Sequence, residues 1–254
     1  MRSPRLWRAR GKVSLVALAT LVTGTLLMAE DWFPQCRQVV LVSSDSWGAA
    51  TGELSMWEKR GEQWKEVRSG IPVSLGRKGM GLGLGLHRDR KEVPQKNEGD
   101  RRAPAGIFPL EFGFGRKASP ANPGGLAYRR AGASDYWVDD PDSQFYNQWV
   151  DTSDRRIRKD WNSAETLARS DGLYDLVVVV GHNRAETVPG RGSAIFLHRW
   201  KARGVPTIGC TALDPEELLN LWKWLRRKDA PLLVQGPVEY LKTLSLPHAL
   251  QSSP

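Results

Sequence analysis

Residues 176–210 read LVVVVGHNRAETVPGRGSAIFLHRWKARGVPTIGC, and they carry the main fold signal of the chain. Leu176–Val180 and Ala194–Leu197 are apolar runs of strand length next to turn-forming residues, which predicts two buried strands. The second run ends on His198, and a basic loop then leads through a Pro/Thr/Gly turn to Cys210. We expect these strand ends to bring an imidazole and a thiol close together.

This pair points to nucleophilic chemistry. A free thiol has a pKa of about 8.5 and is mostly protonated at neutral pH, but a nearby histidine stabilises the thiolate. Gly209 permits a sharp turn, so the amides of Gly209 and Cys210 are candidate donors to a developing oxyanion. The alternatives are a buried thiol beside a core histidine and a zinc site from His87, His182 and His198. No spacing typical of zinc ligands supports the second.

The remaining sequence predicts mainly strands and one clear helix. Asp214 is a good N-cap, Pro215 suits the first helical position, and apolar residues follow at helical spacing up to Leu225. The alternating glycines of residues 76–86 indicate a strand whose glycine face meets another backbone. Further predicted strands are residues 38–42, 52–58, 63–67, 104–115 and 232–234.

The N-terminus differs from the rest of this 254-residue chain. Residues 1–29 hold five basic and no acidic residues, with an apolar run from Val13 to Met28, as in a secretory signal peptide or an uncleaved membrane anchor. Without those five charges the formal net charge falls from +9 to +4, which argues against a nucleic-acid partner. We expect a domain over residues 30–240 and a flexible tail over 241–254.

The sequence also resembles a known family. Members of the L,D-transpeptidase (YkuD-type) family carry a histidine, a spacer and a Ser/Thr-x-Gly-Cys element, which here are His198 and Thr207–Cys210. Three further stretches resemble an exported bacterial branch of that family: residues 98–109, residues 137–141 and Gly181-His182-Asn183. The similarity covers roughly residues 38 to 235.

The resemblance implies a β-sandwich-like catalytic domain in the bacterial periplasm or cell envelope, without cofactor or metal. Cys210 would attack the bond after the L-centre of diaminopimelate in a peptidoglycan tetrapeptide stem, with His198 as general base. D-alanine would leave, and an amine would resolve the thioester to form a cross-link. Water as acceptor would make the enzyme an L,D-carboxypeptidase.

One position departs from the better-known family pattern, which has an arginine two residues after the cysteine. This chain has Ala212 there, so Arg199, Arg203 or Arg184 is left to bind a substrate carboxylate. Further residues that would support the site or bind substrate are Ser193, Thr207, His182 and Asn183. Trp137, Trp149 and Trp200 are candidates for stacking on glycan rings, although core packing is the commoner role.

Three rival hypotheses remain open at this stage. A papain-like cysteine peptidase usually places its cysteine before its histidine, and this chain has the reverse order. A catalytically silent wall-binding module would share the same fold. Finally, Cys36 and Cys210 would form a disulfide in an oxidising compartment if they lay close together.

Overall fold

The computed structural model describes residues 35–251, which form a mainly β architecture with a few short helices, as the sequence predicts. The strands are β1 Gln38–Ser44, β2 Thr51–Arg60, β3 Gln63–Ser74, β4 Met80–Leu82, β5 Ala103–Gly115, β6 Ala127–Arg130, β7 Asp135–Val138, β8 Trp149–Asp151, β9 Ala164–Thr166, β10 Val177–Val180, β11 Phe196–Arg199, β12 Thr211–Leu213 and β13 Leu232–Pro237. The helices are α1 Pro215–Trp224, α2 Val238–Leu241 and α3 His248–Gln251, with a 3-10 turn at Arg227–Asp229.

Ten strands form one mixed sheet in the order β10-β11-β12-β3-β2-β1-β13-β5-β4, with β6 added at β5. Because β10 also pairs with β5, the hydrogen-bonded path returns on itself. The remaining strands form a small sheet in the order β8-β7-β9. β11 and β12 are parallel neighbours, so the two predicted site residues sit at adjacent positions of the large sheet.

Side chains of β10 are buried on both faces, as the uninterrupted apolar run predicts. Val178 and Val180 belong to the main hydrophobic core, whereas Val177 and Val179 belong to a second cluster. Successive side chains of a strand point to opposite faces, so one strand contributes to both clusters. The second cluster also contains Trp137 and Cys210, and it lies between the large sheet and the small one.

Helix α1 begins where the sequence predicts. Asp214 caps it by accepting a hydrogen bond from the Glu216 amide at 2.8 Å, and Leu218, Leu221, Trp222 and Leu225 are buried. The sequence also predicts a capping-box pair between Asp214 and Glu217, but the Glu217 side chain pairs with Arg68 instead. The helix ends at Trp224, so the basic residues from 226 onward lie beyond its last turn.

The structure describes the N-terminal side of the chain from residue 35 and the C-terminal side up to Gln251. The predicted signal or anchor over residues 1–29 lies outside the described residues. The predicted flexible tail is wrong up to Gln251, because α2 and α3 bury Leu241, Leu246 and Leu250 in the main core. Within residues 35–251, no helix combines the length and the apolar character needed to cross a bilayer.

The glycine-rich segment after β3 approaches neighbouring backbone, as the sequence predicts. An ideal Cβ on Gly81 would lie 2.9 Å from the Gln95 carbonyl and 3.0 Å from the Lys96 amide. Gly79 has φ +75° and would place a Cβ 2.0 Å from the Trp47 carbonyl oxygen. Only glycine therefore lets β4 lie against these loops, and one of them carries Lys96 into the cavity described below.

Gly81→Ala should destabilise the domain by roughly 1–3 kcal/mol, because the added methyl group meets backbone that cannot rotate away. Gly48→Ala is the matched control, since nothing lies within 4 Å of its Cβ position. Thermal unfolding of both variants measures the difference. Equal melting temperatures would contradict the proposed close packing.

Candidate active site

The register of β11 and β12 places the histidine and the cysteine on one side of the sheet. Leu197 pairs with Thr211 and His198 pairs with Ala212. Cys210 lies two residues before Ala212, so its side chain points to the same face as that of His198. Both residues line one cavity of about 390 Å³.

His198 is 7% exposed, and its tautomer follows from one contact. Its Nδ1 lies 2.7 Å from the carbonyl oxygen of Arg199, which can only accept, so Nδ1–H donates and Nε2 carries the lone pair. Burial lowers the pKa of His198 to about 4, and the positive charge of Arg169 acts in the same direction. At neutral pH the imidazole is therefore an uncharged base with Nε2 as its basic atom.

Cys210 is 9% exposed, and its Sγ donates to the carbonyl oxygen of Ala194 at 3.5 Å. Burial raises the pKa of the Cys210 thiol to about 12, and the negative charge of Glu165 adds to the rise. Opposing contributions come from the Phe196 amide and the charges of Lys96 and Arg169. The sequence predicts a thiolate stabilised by histidine, whereas this environment favours a neutral thiol and a neutral imidazole at the same cavity.

Three carboxyl groups line the cavity: Glu98, Asp139 and Glu165. Burial raises the pKa of Asp139, and the charge of Glu98 raises it further against a hydrogen bond from Ser163. Burial likewise raises the pKa of Glu165, which Arg169 partly offsets. Of these three groups Glu165 acts on the thiol, because its negative charge opposes ionisation of Cys210 in addition to burial.

A compact turn precedes the nucleophile. The hydroxyl of Thr207 donates to the Cys210 carbonyl oxygen at 2.6 Å and accepts the Gly209 amide at 3.2 Å. Thr207 is thus a supporting residue that fixes the turn. The amides of Gly209 and Cys210 are the two predicted oxyanion donors. The Gly209 amide already donates to the Thr207 hydroxyl, so it must break this hydrogen bond before it can bind a substrate oxyanion.

Ser193 takes part in a polar network at the cavity wall. Its hydroxyl donates to Glu98 Oε2 at 2.7 Å, and the hydroxyl of Tyr146 donates to the same oxygen at 2.6 Å. Burial and the contact with Glu98 raise the pKa of Tyr146 above its ordinary value. These hydrogen bonds connect the segment before β11 with the loops that carry Glu98 and Tyr146, which are distant from it in sequence.

The backbone that holds the thiol is fixed by Asn147. Its Oδ1 accepts the amide of Ala194 at 3.2 Å and the indole N–H of Trp137 at 2.9 Å. Its Nδ2 donates to the Asn183 carbonyl at 2.7 Å. Ala194 has φ +52°, a left-handed conformation that is unfavourable for alanine and needs such support.

His182 and Asn183 lie next to the site rather than in it. Nδ1 of His182 accepts the Leu84 amide at 3.1 Å, and Nε2–H donates to the Arg191 carbonyl at 2.9 Å. Asn183 donates to the carbonyls of Val188 and Gly192. Both residues brace the loop that leads to Ser193, and neither lines the cavity.

The three arginines predicted to bind a substrate carboxylate do not line the cavity. Arg184 pairs with Glu111 at 2.8 Å and stacks 4.8 Å from the Trp137 ring centroid. Arg199 and Arg203 are not among the cavity-lining residues. Trp200 lines the cavity, whereas Trp137 is fully buried in the second hydrophobic cluster.

Two alternatives from the sequence find no support in the geometry. Cys36 and Cys210 are free thiols in different hydrophobic clusters, and Cys36 donates to the Gln38 carbonyl. His87 resembles His182 in using both ring nitrogens on backbone groups, accepting from Ile107 and donating to Gly83. Neither histidine has a nitrogen left for a metal.

Several cavity residues were missed by sequence reasoning. Tyr174 packs edge-on against His198 with 5.5 Å between ring centroids, and Arg169 lies 5.2 Å over the Tyr174 ring. Glu165, at β9, is 3.4 Å from the Tyr174 hydroxyl. No motif spacing marks these residues in the sequence: Glu165 lies on β9 of the small sheet, and Arg169 and Tyr174 lie on the segment between β9 and β10. Glu98 and Asp139 lie within the family-like stretches but had no assigned role.

This chain is similar to one family of known proteins and to a solved structure. The family model described as the L,D-transpeptidase catalytic domain (YkuD) matches residues 49–239, which include His198 and Cys210. The helical cell shape determining protein Pgp2 from Campylobacter jejuni has 14% sequence identity and a TM-score of 0.36, over 79% of this chain and 48% of its own. The chain thus spans about half the length of that protein. A comparison with curated proteins gave no match.

Glu165→Gln should make Cys210 more reactive at neutral pH, because it removes a negative charge that raises the thiol pKa. Each unit of decrease in that pKa raises the thiolate population about tenfold. The rate of alkylation by iodoacetamide between pH 6 and about 9 measures the change. Glu186→Gln, on an exposed loop, removes the same charge away from the cavity and should have no effect. An unchanged or slower rate in Glu165→Gln would contradict the electrostatic role.

Proposed function

The chain belongs to the L,D-transpeptidase catalytic domain (YkuD) family, and from this premise we propose that it is an exported peptidoglycan L,D-transpeptidase with Cys210 as nucleophile. The observation that carries the proposal is the placement of Cys210 and His198 on one face of paired strands, at a cavity large enough for a peptide end. A wall-binding module would need no basic imidazole nitrogen beside a thiol.

Acylation begins from the neutral pair. As Sγ of Cys210 attacks the carbonyl carbon at the L-centre of diaminopimelate, the thiol proton passes to Nε2 of His198. The Arg199 carbonyl, which holds Nδ1–H, favours the imidazolium that forms. The amide of Cys210 is positioned by the Thr207 turn to bind the oxyanion.

The leaving group then departs. The imidazolium returns its proton to the nitrogen of D-alanine, and the peptide remains bound to Sγ as a thioester. An amine of a second stem attacks the thioester, His198 accepts the amine proton, and Sγ leaves to regenerate the thiol. Water in place of the amine gives the L,D-carboxypeptidase reaction, which uses the same residues in the same roles.

The extracytoplasmic location belongs to the proposal as well. Its support is the basic and apolar pattern of residues 1–29 and the wall substrate of the family. The reaction draws its energy from the bond that it breaks, so it suits a compartment without ATP. Cleaved and membrane-anchored forms of the protein would both place the domain beside the cell wall.

Incubating the purified protein with a tetrapeptide stem, followed by mass analysis, tests the function. We expect a covalent adduct on Cys210 and release of D-alanine, with a cross-linked dimer as product. Tripeptide alone would select the carboxypeptidase reaction. A folded, reduced protein that forms no adduct and releases no D-alanine would contradict the enzyme and favour a binding module.

Cys210→Ser should abolish the thioester, and His198→Gln should slow its formation by roughly 10²–10⁴-fold, as expected for loss of a general base. Cys36→Ser is the matched control, because Cys36 lies in the main core away from the cavity. The adduct mass and its rate of appearance are the measurements. If Cys36→Ser also lost the adduct, the roles assigned to the two thiols would be wrong.

The rate of acyl-enzyme formation should be nearly constant between pH 5 and 8 and should fall near the pKa of about 4 of His198. The sign follows because only the neutral imidazole accepts the thiol proton, and His198 becomes protonated below that pH. Far-UV circular dichroism must be recorded in parallel, because buried neutral histidines also lower stability in acid. If the rate instead fell with a midpoint near pH 6.5 while the protein stayed folded, the claim that burial lowers the pKa of His198 would be wrong.

A further inference from the structure

The cavity wall carries four cationic side chains, and two of them are already neutralised. Lys96 is 3% exposed, and its ammonium group donates to Asp100 at 2.7 Å and to the Asn97 carbonyl at 2.6 Å. Arg169 binds Asp171 through Nε at 3.1 Å and lies 3.6 Å from Glu165. Each of these two cations already has a protein carboxylate as its partner.

Arg77 and Lys201 are the other two cations of the wall, and both are exposed. Within the part of the chain that the structure describes, neither forms an ion pair with an acidic residue. The charge of Lys201 does lower the pKa of Asp171, but Arg169 holds that carboxylate. Arg77 and Lys201 thus present uncompensated positive charge at the cavity.

Backbone contacts fix Arg77 beside the nucleophile. Its amide donates to the Thr207 carbonyl at 3.0 Å, and Gly76 forms a β-bridge with Thr207. Lys201 follows the end of β11, three residues after His198. Arg77 therefore lies on the segment that pairs with the turn before Cys210, and Lys201 lies on the segment that carries His198.

The proposed donor substrate needs such a cation. Its leaving residue ends in a carboxylate close to the scissile bond, so this group must lie near Cys210 during attack. Position 212, where the better-known family pattern has arginine, is an alanine with 1% exposure that lines the cavity. The positive charge must come from another segment.

Resting on the function proposed above, we propose that Arg77, assisted by Lys201, binds the C-terminal carboxylate of the donor stem and so selects peptides with a free terminal D-residue. A guanidinium group forms two parallel hydrogen bonds with a carboxylate, which orients the ligand as well as binding it. Arg77 and Lys201 are specificity-determining residues. Proton transfer remains with His198.

The test compares two synthetic donors, a tetrapeptide stem with a free C-terminal carboxylate and the same peptide as its C-terminal carboxamide. We expect Arg77→Gln to lower kcat/KM for the free acid by roughly tenfold or more, as for loss of a charge-assisted contact. Lys201→Gln should have a smaller effect in the same direction. Neither variant should change kcat/KM for the carboxamide, and wild type should prefer the free acid.

Lys78→Gln and Arg203→Gln are the matched controls, since each removes one exposed positive charge next to Arg77 or Lys201 without lining the cavity. Both should behave as wild type. Alkylation of Cys210 by the uncharged reagent iodoacetamide should proceed at the wild-type rate in all four variants, which shows that the thiol and its surroundings are intact.

Three results would overturn the inference. Arg77→Gln could leave both peptides unaffected, it could slow both peptides equally, or wild type could show no preference between them. One further result would show instead that the proposed function itself is wrong. In that case wild type would form no acyl-enzyme with either peptide although iodoacetamide still alkylates Cys210, and the inference would fall with the function.

Discussion

Parallel pairing of β11 with β12 is the constraint on which the candidate active-site cavity depends. With Leu197 opposite Thr211, Leu197 and Leu213 point into the main core, and His198 and Cys210 point to the other face. Side chains alternate along a strand, so a slip of one residue in either strand would exchange these roles. The apolar residues that keep the register are thus the reason that His198 and Cys210 line the same cavity.

Burial gives this site an uncharged resting state. The same burial raises the pKa of Cys210 to about 12 and lowers that of His198 to about 4, so separated charges are unfavourable at these two groups. A nucleophile of this kind becomes reactive when a substrate supplies donors to the developing negative charge. The Glu165 carboxylate increases the need for such donors, because its negative charge repels negative charge on the sulfur of Cys210.

Support for the cavity comes from segments far from it in sequence. Asn147 fixes Ala194 in a left-handed conformation, and Glu98 joins Ser193 to Tyr146 across 95 and 48 residues of chain. His182 and Asn183 bind the backbone of the loop between β10 and β11. The strained residue that accepts the thiol hydrogen bond is therefore held by several independent contacts, which keeps the sulfur in one place.

Sequence alone determined the elements whose causes are local. Apolar runs predicted β10 and β11, and Asp214 with Pro215 predicted the start of α1, because strand formation and helix capping involve near neighbours. The Cys210 and His198 pair was predicted from one short stretch, where a strand ends on the histidine, a turn leads to the cysteine, and both match a family pattern. Only the tertiary structure decided the protonation states of that pair, the structural role of His182, the burial of Leu246 and Leu250, and which cations remain unpaired at the cavity. Those properties depend on burial and on charges contributed by distant segments, and a linear sequence contains neither the dielectric surroundings of a group nor its distance from another charge.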